Sequence, residues 1–438
     1  MNEKSIFDEI LEKIPAPIYF QDNERDLCEV DYYGTSHLIA EQLELKNLPF
    51  SNVGWRHGWM YVPLKYLPQL TVWGKSDINY LTAKEEHAAF LMQHGIKATA
   101  VGMPFIYANA IDDSLRRRNS LLVMPQHTLS SVPNVGNEEQ YIQKIEKIRN
   151  DFDVVVFCIH HSCYEHGVWP ALLNKYNYPT IVGASASQIN AITRLQKIFS
   201  IFEFVTTNTV GSHLPYAAYC GSKVSIYGQF SDFSNYNFSN DPYAKANPEV
   251  INFNIKYTSE PYVRALVPFM FCEHPNEAPQ SVAWAKDELG VVNKKSPEVI
   301  AELLGWNDCD LQRRQAYANL QRKINMQEEI TLRSILSMLE LAQKYRERFA
   351  IYGAGHIGEM ILRALSIANL KPVCIFDKRH EQISELHGVV VKCPDENSIS
   401  GVNLDLIIIA SFSHKNEIKE HIESINDSVL VCLLSQDG

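Results

Sequence analysis

Between Ser120 and Gly228 one pattern recurs five times. The runs "SLLVMP", "DVVVFCIH", "PTIVGAS", "FEFVTTN" and "KVSIYG" are short and rich in β-branched or aromatic residues. The segments between them, "EEQYIQKIEKIRN", "GVWPALLNKY", "SQINAITRLQKIF" and "SHLPYAAYC", read as helices. Strands that are apolar along their whole length are those covered by helices on both faces. Strand and helix in strict alternation give a parallel sheet. Residues 116–230 are therefore expected to form a doubly wound α/β domain.

Three other regions differ in texture. Residues 1–115 alternate shorter apolar runs ("APIYF", "FSNVGW", "DINYLTA", "KATAVGMPFIYA") with the helical patterns "GTSHLIAEQLEL" and "KEEHAAFLMQHG", and predict a second, mainly parallel α/β domain. The polar "AIDDSLRRRN" reads as the bridge between the two. Over 231–348 the strand signal fades. A Tyr/Asn/Ser-rich loop gives way to helices that end in "ITLRSILSMLELAQKYRERF", with leucines at helical spacing, expected to pack across or beside the sheets. Residues 349–438 restart the α/β pattern with about four strands.

Composition removes several classes of function. The 438 residues are 46% hydrophobic and 21% charged, enough for a core in each of two to four domains. The formal charge is -11 and no basic run exceeds Arg116-Arg117-Arg118, so no nucleic-acid partner is expected. Acids interrupt the apolar N-terminal stretch, and no run of about 18 apolar residues occurs. We therefore expect no signal peptide, no membrane span and a cytoplasmic location, with at most peripheral association with the inner membrane face. The nine cysteines form no CxxC pair, the usage of a reduced compartment.

The chemistry-bearing residues cluster at strand ends. In the 116–230 domain the strands lead into Gln126-His127-Thr128, His160-His161-Ser162, Ala186-Ser187 and Asn208-Thr209. An open α/β sheet binds ligands outside the carboxyl ends of its strands. Neutral or weakly basic donors there suit a phosphate or pyrophosphate. Gly211, Ser212 and His213 open the helix after the fourth strand, where free backbone N–H groups favour an anion. A helix cap at Ser212 that binds nothing is the plainer alternative. In the first domain Asp31 and His57 (in "GWRHGW") are candidate general bases. No metal is expected: the spacing of His160, His161, Cys163 and His166 fits no standard zinc site, and the nearest acid pair, in "IDDS", falls in the bridge. Neither G-x-S-x-G nor a Walker A motif occurs.

In the C-terminal region Gly353-x-Gly355-x-x-Gly358 follows an apolar strand, and Asp377 ends the next one. This resembles the small Rossmann-like modules appended to bacterial sugar-modifying enzymes, and leaves room for a nucleotide or NAD(P) there.

Two α/β domains followed by a helical return resemble a GT-B glycosyltransferase, two Rossmann-like domains facing across a cleft. "VVVFCIHH" followed by "EFVTTNTVGSHLPYAAYCGSKVSIYG" resembles bacterial surface-polysaccharide transferases, including those using CMP-activated sugars such as sialic acid or Kdo. Those carry His-Pro and Ser-Ser or Ser-Thr pairs at these places; here the pairs read His160-His161 and Thr206-Thr207-Asn208-Thr209. The resemblance implies a nucleotide-sugar donor held on the second domain and a carbohydrate or lipid-linked glycan acceptor on the first. Asp31 or His57 would take the acceptor's proton, and transfer would need no cofactor. Two alternatives stay open: an NAD(P)-dependent oxidoreductase or nucleotide-sugar epimerase using the Gly353–Gly358 module, and a non-catalytic nucleotide-sugar-binding protein.

Overall fold

The computed structural model describes residues 3–20, 28–71, 78–108, 112–127, 137–234, 236, 238, 241–314, 337–346, 348–411 and 414–433. Thr128, Ile111 and the start of the leucine-bearing segment, 330–336, lie outside the described residues. The chain divides into two compact units, Met1–Ala316 and Tyr317–Gly438.

The first unit holds two parallel sheets. β1 (Val53–Trp55), β2 (Asn79–Thr82) and β3 (Ala98–Ala100) pair in that order. The larger sheet contains β4 (Arg117–Val123), β5 (Val154–Ile159), β6 (Thr180–Val182), β7 (Phe202–Thr207) and β8 (Lys223–Ile226). Its order is β6-β5-β4-β7-β8, parallel throughout, so the winding reverses between β4 and β7. All five of the expected strands form, because β-branched runs covered on both faces have no competing way to bury themselves. β4 starts earlier than its apolar core, at Arg117, inside the stretch read as a bridge.

One apolar core runs from the small sheet to the large one: Val53, Trp55, Leu81 and Val101 belong to the same cluster as Val154, Val156, Val205 and Val224. Phe105 lies at the join, its ring stacked on that of Tyr216 at 3.9 Å and nearly parallel to it. The helix Val282–Glu288 braces both sheets. It packs on the helix His213–Tyr219, and Glu288 Oε2 accepts the Trp59 indole N–H at 2.8 Å.

The run "APIYF" does not join the small sheet. Pro15 and Pro17 lack the N–H groups a ladder needs, and the segment lies along the loop after β6. There Phe20 N–H donates to Ser187 O, and Ile189 N–H to Ile18 O. The preceding helix, Glu3–Glu12, also packs on the large sheet, where Glu3 accepts from Val155 N–H and pairs with Arg149.

The second unit is one sheet in the order β11-β12-β10-β9-β13-β14. β9 (Phe349–Tyr352), β10 (Ile375–Phe376), β12 (Val389–Lys392), β13 (Leu406–Ile409) and β14 (Leu430–Leu433) are parallel, and β11 (Glu385–Leu386) pairs antiparallel at the edge. The winding again reverses beside the first strand, between β9 and β13. Met338 and Ala342, from the leucine-bearing segment, are buried in this unit's core with Phe349 and Ile351. That segment is thus divided from the helices before it.

Candidate functional site at the β4–β7 crossover

The loops leaving β4 and β7 are laced together. Met124 N–H donates to Thr206 O at 2.8 Å, and Gln126 N–H to Asn208 Oδ1 at 2.9 Å. Ser231 closes the ring: its N–H donates to Asn208 O at 2.7 Å and its hydroxyl to Gln126 Oε1. These bonds occupy Asn208 and one end of Gln126. Among the described residues Gln126 Nε2 and Thr209 Oγ1 remain buried without a hydrogen-bond partner.

Two loops from elsewhere meet this edge. The loop after β1 carries Arg56, His57, Gly58 and Trp59, and Trp59 N–H donates to Ser212 Oγ at 2.9 Å. Ser212 therefore does not cap the helix His213–Tyr219; its backbone is already helical and its side chain accepts no bond from that helix. The Tyr216 hydroxyl donates to His57 O, fixing the loop a second time. From the other side comes the turn at 28–36, where the Tyr33 ring lies 4.3 Å from the His57 ring. Tyr33 holds φ at 59°, a region tyrosine rarely enters, which marks a conformation the surroundings impose.

Four histidines line or border the edge, and burial is the main cause of the low basicity of three of them, His57, His160 and His213. His127 and His160 stack at 4.5 Å. Burial, reinforced by His127 and His161, pushes His160 down to about 3. Burial and then His127 lower His213 to about 3. Burial and then Arg56 lower His57 to about 4. His213 Nε2 and His57 Nδ1 are buried with no partner among the described residues. The His213 ring lies against Gly211, where an added Cβ would sit 3.0 Å from Nδ1.

Not every expected residue joins the group. His161 turns to Glu165 at 3.3 Å along its own helix. His160 Nδ1 accepts from Ser162 N–H at 3.2 Å, so this ring also caps a helix. Asp31 is fully buried, its carboxylate accepting from Cys28 N–H at 2.7 Å and the Ser36 hydroxyl at 2.5 Å. It holds the turn that presents Tyr33. Tyr33, Tyr216 and Ser231 carry no local motif; only the unusual φ at Tyr33 singles it out, and that is a property of the fold.

A cavity of about 250 Å³ opens beside the crossover, lined by Asn208, Asn137, Gln140, Lys144, Lys147 and Gln229 among others. Of its two lysines, Lys144 lies with its ammonium 4.8 Å from the centre of the Tyr227 ring.

In the second unit Gly353, Gly355 and Gly358 form a tight turn into the helix His356–Ile367. Gly353 has φ of 115°, and a Cβ on Gly358 would lie 2.0 Å from Gly353 O. Asp377 closes the turn from below: Oδ2 accepts Ala354 N–H at 2.6 Å, while Arg379 Nε donates to Oδ1 at 3.2 Å. Burial alone would raise this carboxyl, yet the bonds from Arg379 and Ala354 hold it below the usual carboxylate range.

Among the described residues no group of three or more His, Cys, Asp or Glu is placed to hold a metal ion, and no helix is long and apolar enough to cross a membrane. Residues 345–429 match a family model described as C2185-like, N-terminal. No curated protein matches the chain.

Proposed function

We propose that this protein is a glycosyltransferase that moves a sugar from a nucleotide-activated donor to a carbohydrate acceptor. The observation that carries the reading is a set of four buried polar atoms without partners among the described residues: His57 Nδ1, Gln126 Nε2, Thr209 Oγ1 and His213 Nε2. Leaving such groups unpaired costs about 1–3 kcal/mol each, so a ligand that satisfies them binds with a matching gain. They sit on loops that meet at a winding reversal, where open α/β sheets take their ligands. The donor set is neutral and multidentate, as suits a phosphate held by hydrogen bonds.

On this reading Gln126, Thr209 and His213 hold the donor phosphates, with Gly211 leaving room for the His213 ring. His57 receives the proton of the attacking acceptor hydroxyl. A bound phosphate beside it raises its basicity from the low value burial imposes. Asp31 is a positioning residue that fixes the Tyr33 turn against His57. CMP-sugars remain among the donors to be tried, with bacterial surface polysaccharide synthesis as the setting.

The test is thermal: CMP, UDP, GDP and NAD are added separately, and one of the first three should raise the melting temperature of the native protein but not of His213→Ala. No shift with any nucleotide overturns the proposal. A second reading places an NAD(P)-linked activity at the second unit, supported by the Gly353–Gly358 turn and by Arg379 beside it. It predicts a nicotinamide-nucleotide response lost in Gly355→Val.

A further inference from the structure

The loop that carries His57 has a second face, and a cavity of about 290 Å³ lies against it. Its walls include Arg56, Trp59, Tyr61, Gln69, Tyr243 and Asn254. We propose that this cavity binds a small acidic sugar, with Arg56 receiving the carboxylate.

Arg56 donates from Nε to Gly58 O at 3.1 Å and from Nη1 to Gln69 O, both neutral acceptors. Among the described residues Nη2 makes no hydrogen bond, and no carboxylate lies within ion-pair distance of the guanidinium. The facing acid is Glu29. Burial pushes its carboxyl up to about 7 despite the pull of Arg56, and its Oε1 has no partner among the described residues. The guanidinium is therefore a desolvated cation balanced only in part, and such a charge is stable when a ligand anion completes the pair. The wall behind it is stiff. Gln69 Oε1 accepts from Lys65 and Tyr66 N–H, and its Nε2 donates to Pro63 O and Asn254 Oδ1.

The rest of the lining selects among anions. Among the described residues Arg56 is the one cation in the wall, so a carboxylate monoanion is matched and a phosphate dianion is left under-compensated. Trp59, Tyr61 and Tyr243 give flat apolar faces of the kind on which a pyranose ring rests. Asn254 Nδ2 and the Tyr61 hydroxyl make no hydrogen bond within the described protein and can meet sugar hydroxyls. The volume is near the lower end for small-molecule sites, the size of one sugar unit rather than a nucleotide. The role of this cavity as the acceptor's seat rests on the transfer reading above; the binding site itself does not.

Calorimetric titration of the full chain with glucuronate, glucose and glucose 6-phosphate tests it, each without nucleotide. Glucuronate should bind at least 10-fold more tightly than either of the others. Arg56→Gln should weaken glucuronate 10-fold or more. Because Arg56 also ties its loop, Asn254→Asp is the companion variant: it adds a repelling charge at a half-buried helix position and should weaken glucuronate equally while the circular dichroism stays unchanged. Equal binding of glucuronate and glucose, preference for glucose 6-phosphate, or full affinity in Asn254→Asp overturns the proposal. Nucleotide-induced stabilisation is read on the same preparations. Its absence with glucuronate binding intact would refute the transfer reading and leave this site standing, and the converse result would do the reverse.

Discussion

At the scale of single residues the site is organised by hydrogen bonds that join distant loops. Ser212 stands where a helix cap is expected, yet its hydroxyl accepts from Trp59 N–H at 2.9 Å. Ser212→Ala leaves that N–H without its acceptor and should cost about 1–3 kcal/mol, read from the denaturant midpoint. His57 is a different case, since its Nδ1 has no bond to lose among the described residues. His57→Gln should lower kcat by about 10²- to 10⁴-fold, the usual contribution of a general base, while nucleotide-induced stabilisation persists. Loss of both together would point instead to a ring that only supports the fold.

At the scale of elements, glycines separate turns that need them from turns that tolerate change. In the second unit a Cβ at Gly358 would lie 2.0 Å from Gly353 O, whereas one at Gly355 would meet only Arg379 Nη2, at 3.7 Å. Gly358→Ala should therefore open the turn and lower the melting temperature of the unit, and Gly355→Ala should leave it within about 0.5 kcal/mol of the parent, as for a substitution that meets no special feature. The G-x-G-x-x-G spacing and the acid after β10 were both legible in the sequence. What the acid does was not: Asp377 is engaged by Ala354 N–H and Arg379, contacts set by the crossing of two loops.

At the scale of the whole molecule, the shared core and the buried histidines govern stability. Phe105 stacks on Tyr216 where the two sheets of the first unit meet, so Phe105→Ala should destabilise by about 3–5 kcal/mol and loosen both sheets in one transition. His57 and His87 are lowered to about 4, and His160 and His213 to about 3, from an ordinary 6.5, burial being the first cause in each. The unfolded chain then binds more protons than the folded one between those values. The histidines' contribution to stability should be full above about pH 6.5 and fall as the pH drops from there towards 3, four groups against the single raised carboxyl of Glu29, which acts in the opposite sense between about 4.5 and 7. Urea midpoints across that range check the sign, and His87→Gln, outside the candidate site, should make the slope shallower.

The strand runs from Ser120 to Gly228 sufficed to specify the large sheet, because continuous β-branched segments alternating with amphipathic helices have one economical way to bury themselves. The same pattern, with its reversal between β4 and β7, brought Gln126, Asn208, Thr209 and His213 to one edge. Tertiary structure decided the rest. It set Asp31 into a turn, aimed His161 at Glu165, laid "APIYF" along the loop after β6, and brought the Arg56–Trp59 loop against Ser212. Periodicity along a chain records which faces must be buried, while the partner that satisfies a buried N–H can lie as far along the chain as Ser212 does from Trp59, 153 positions, where no local pattern reaches.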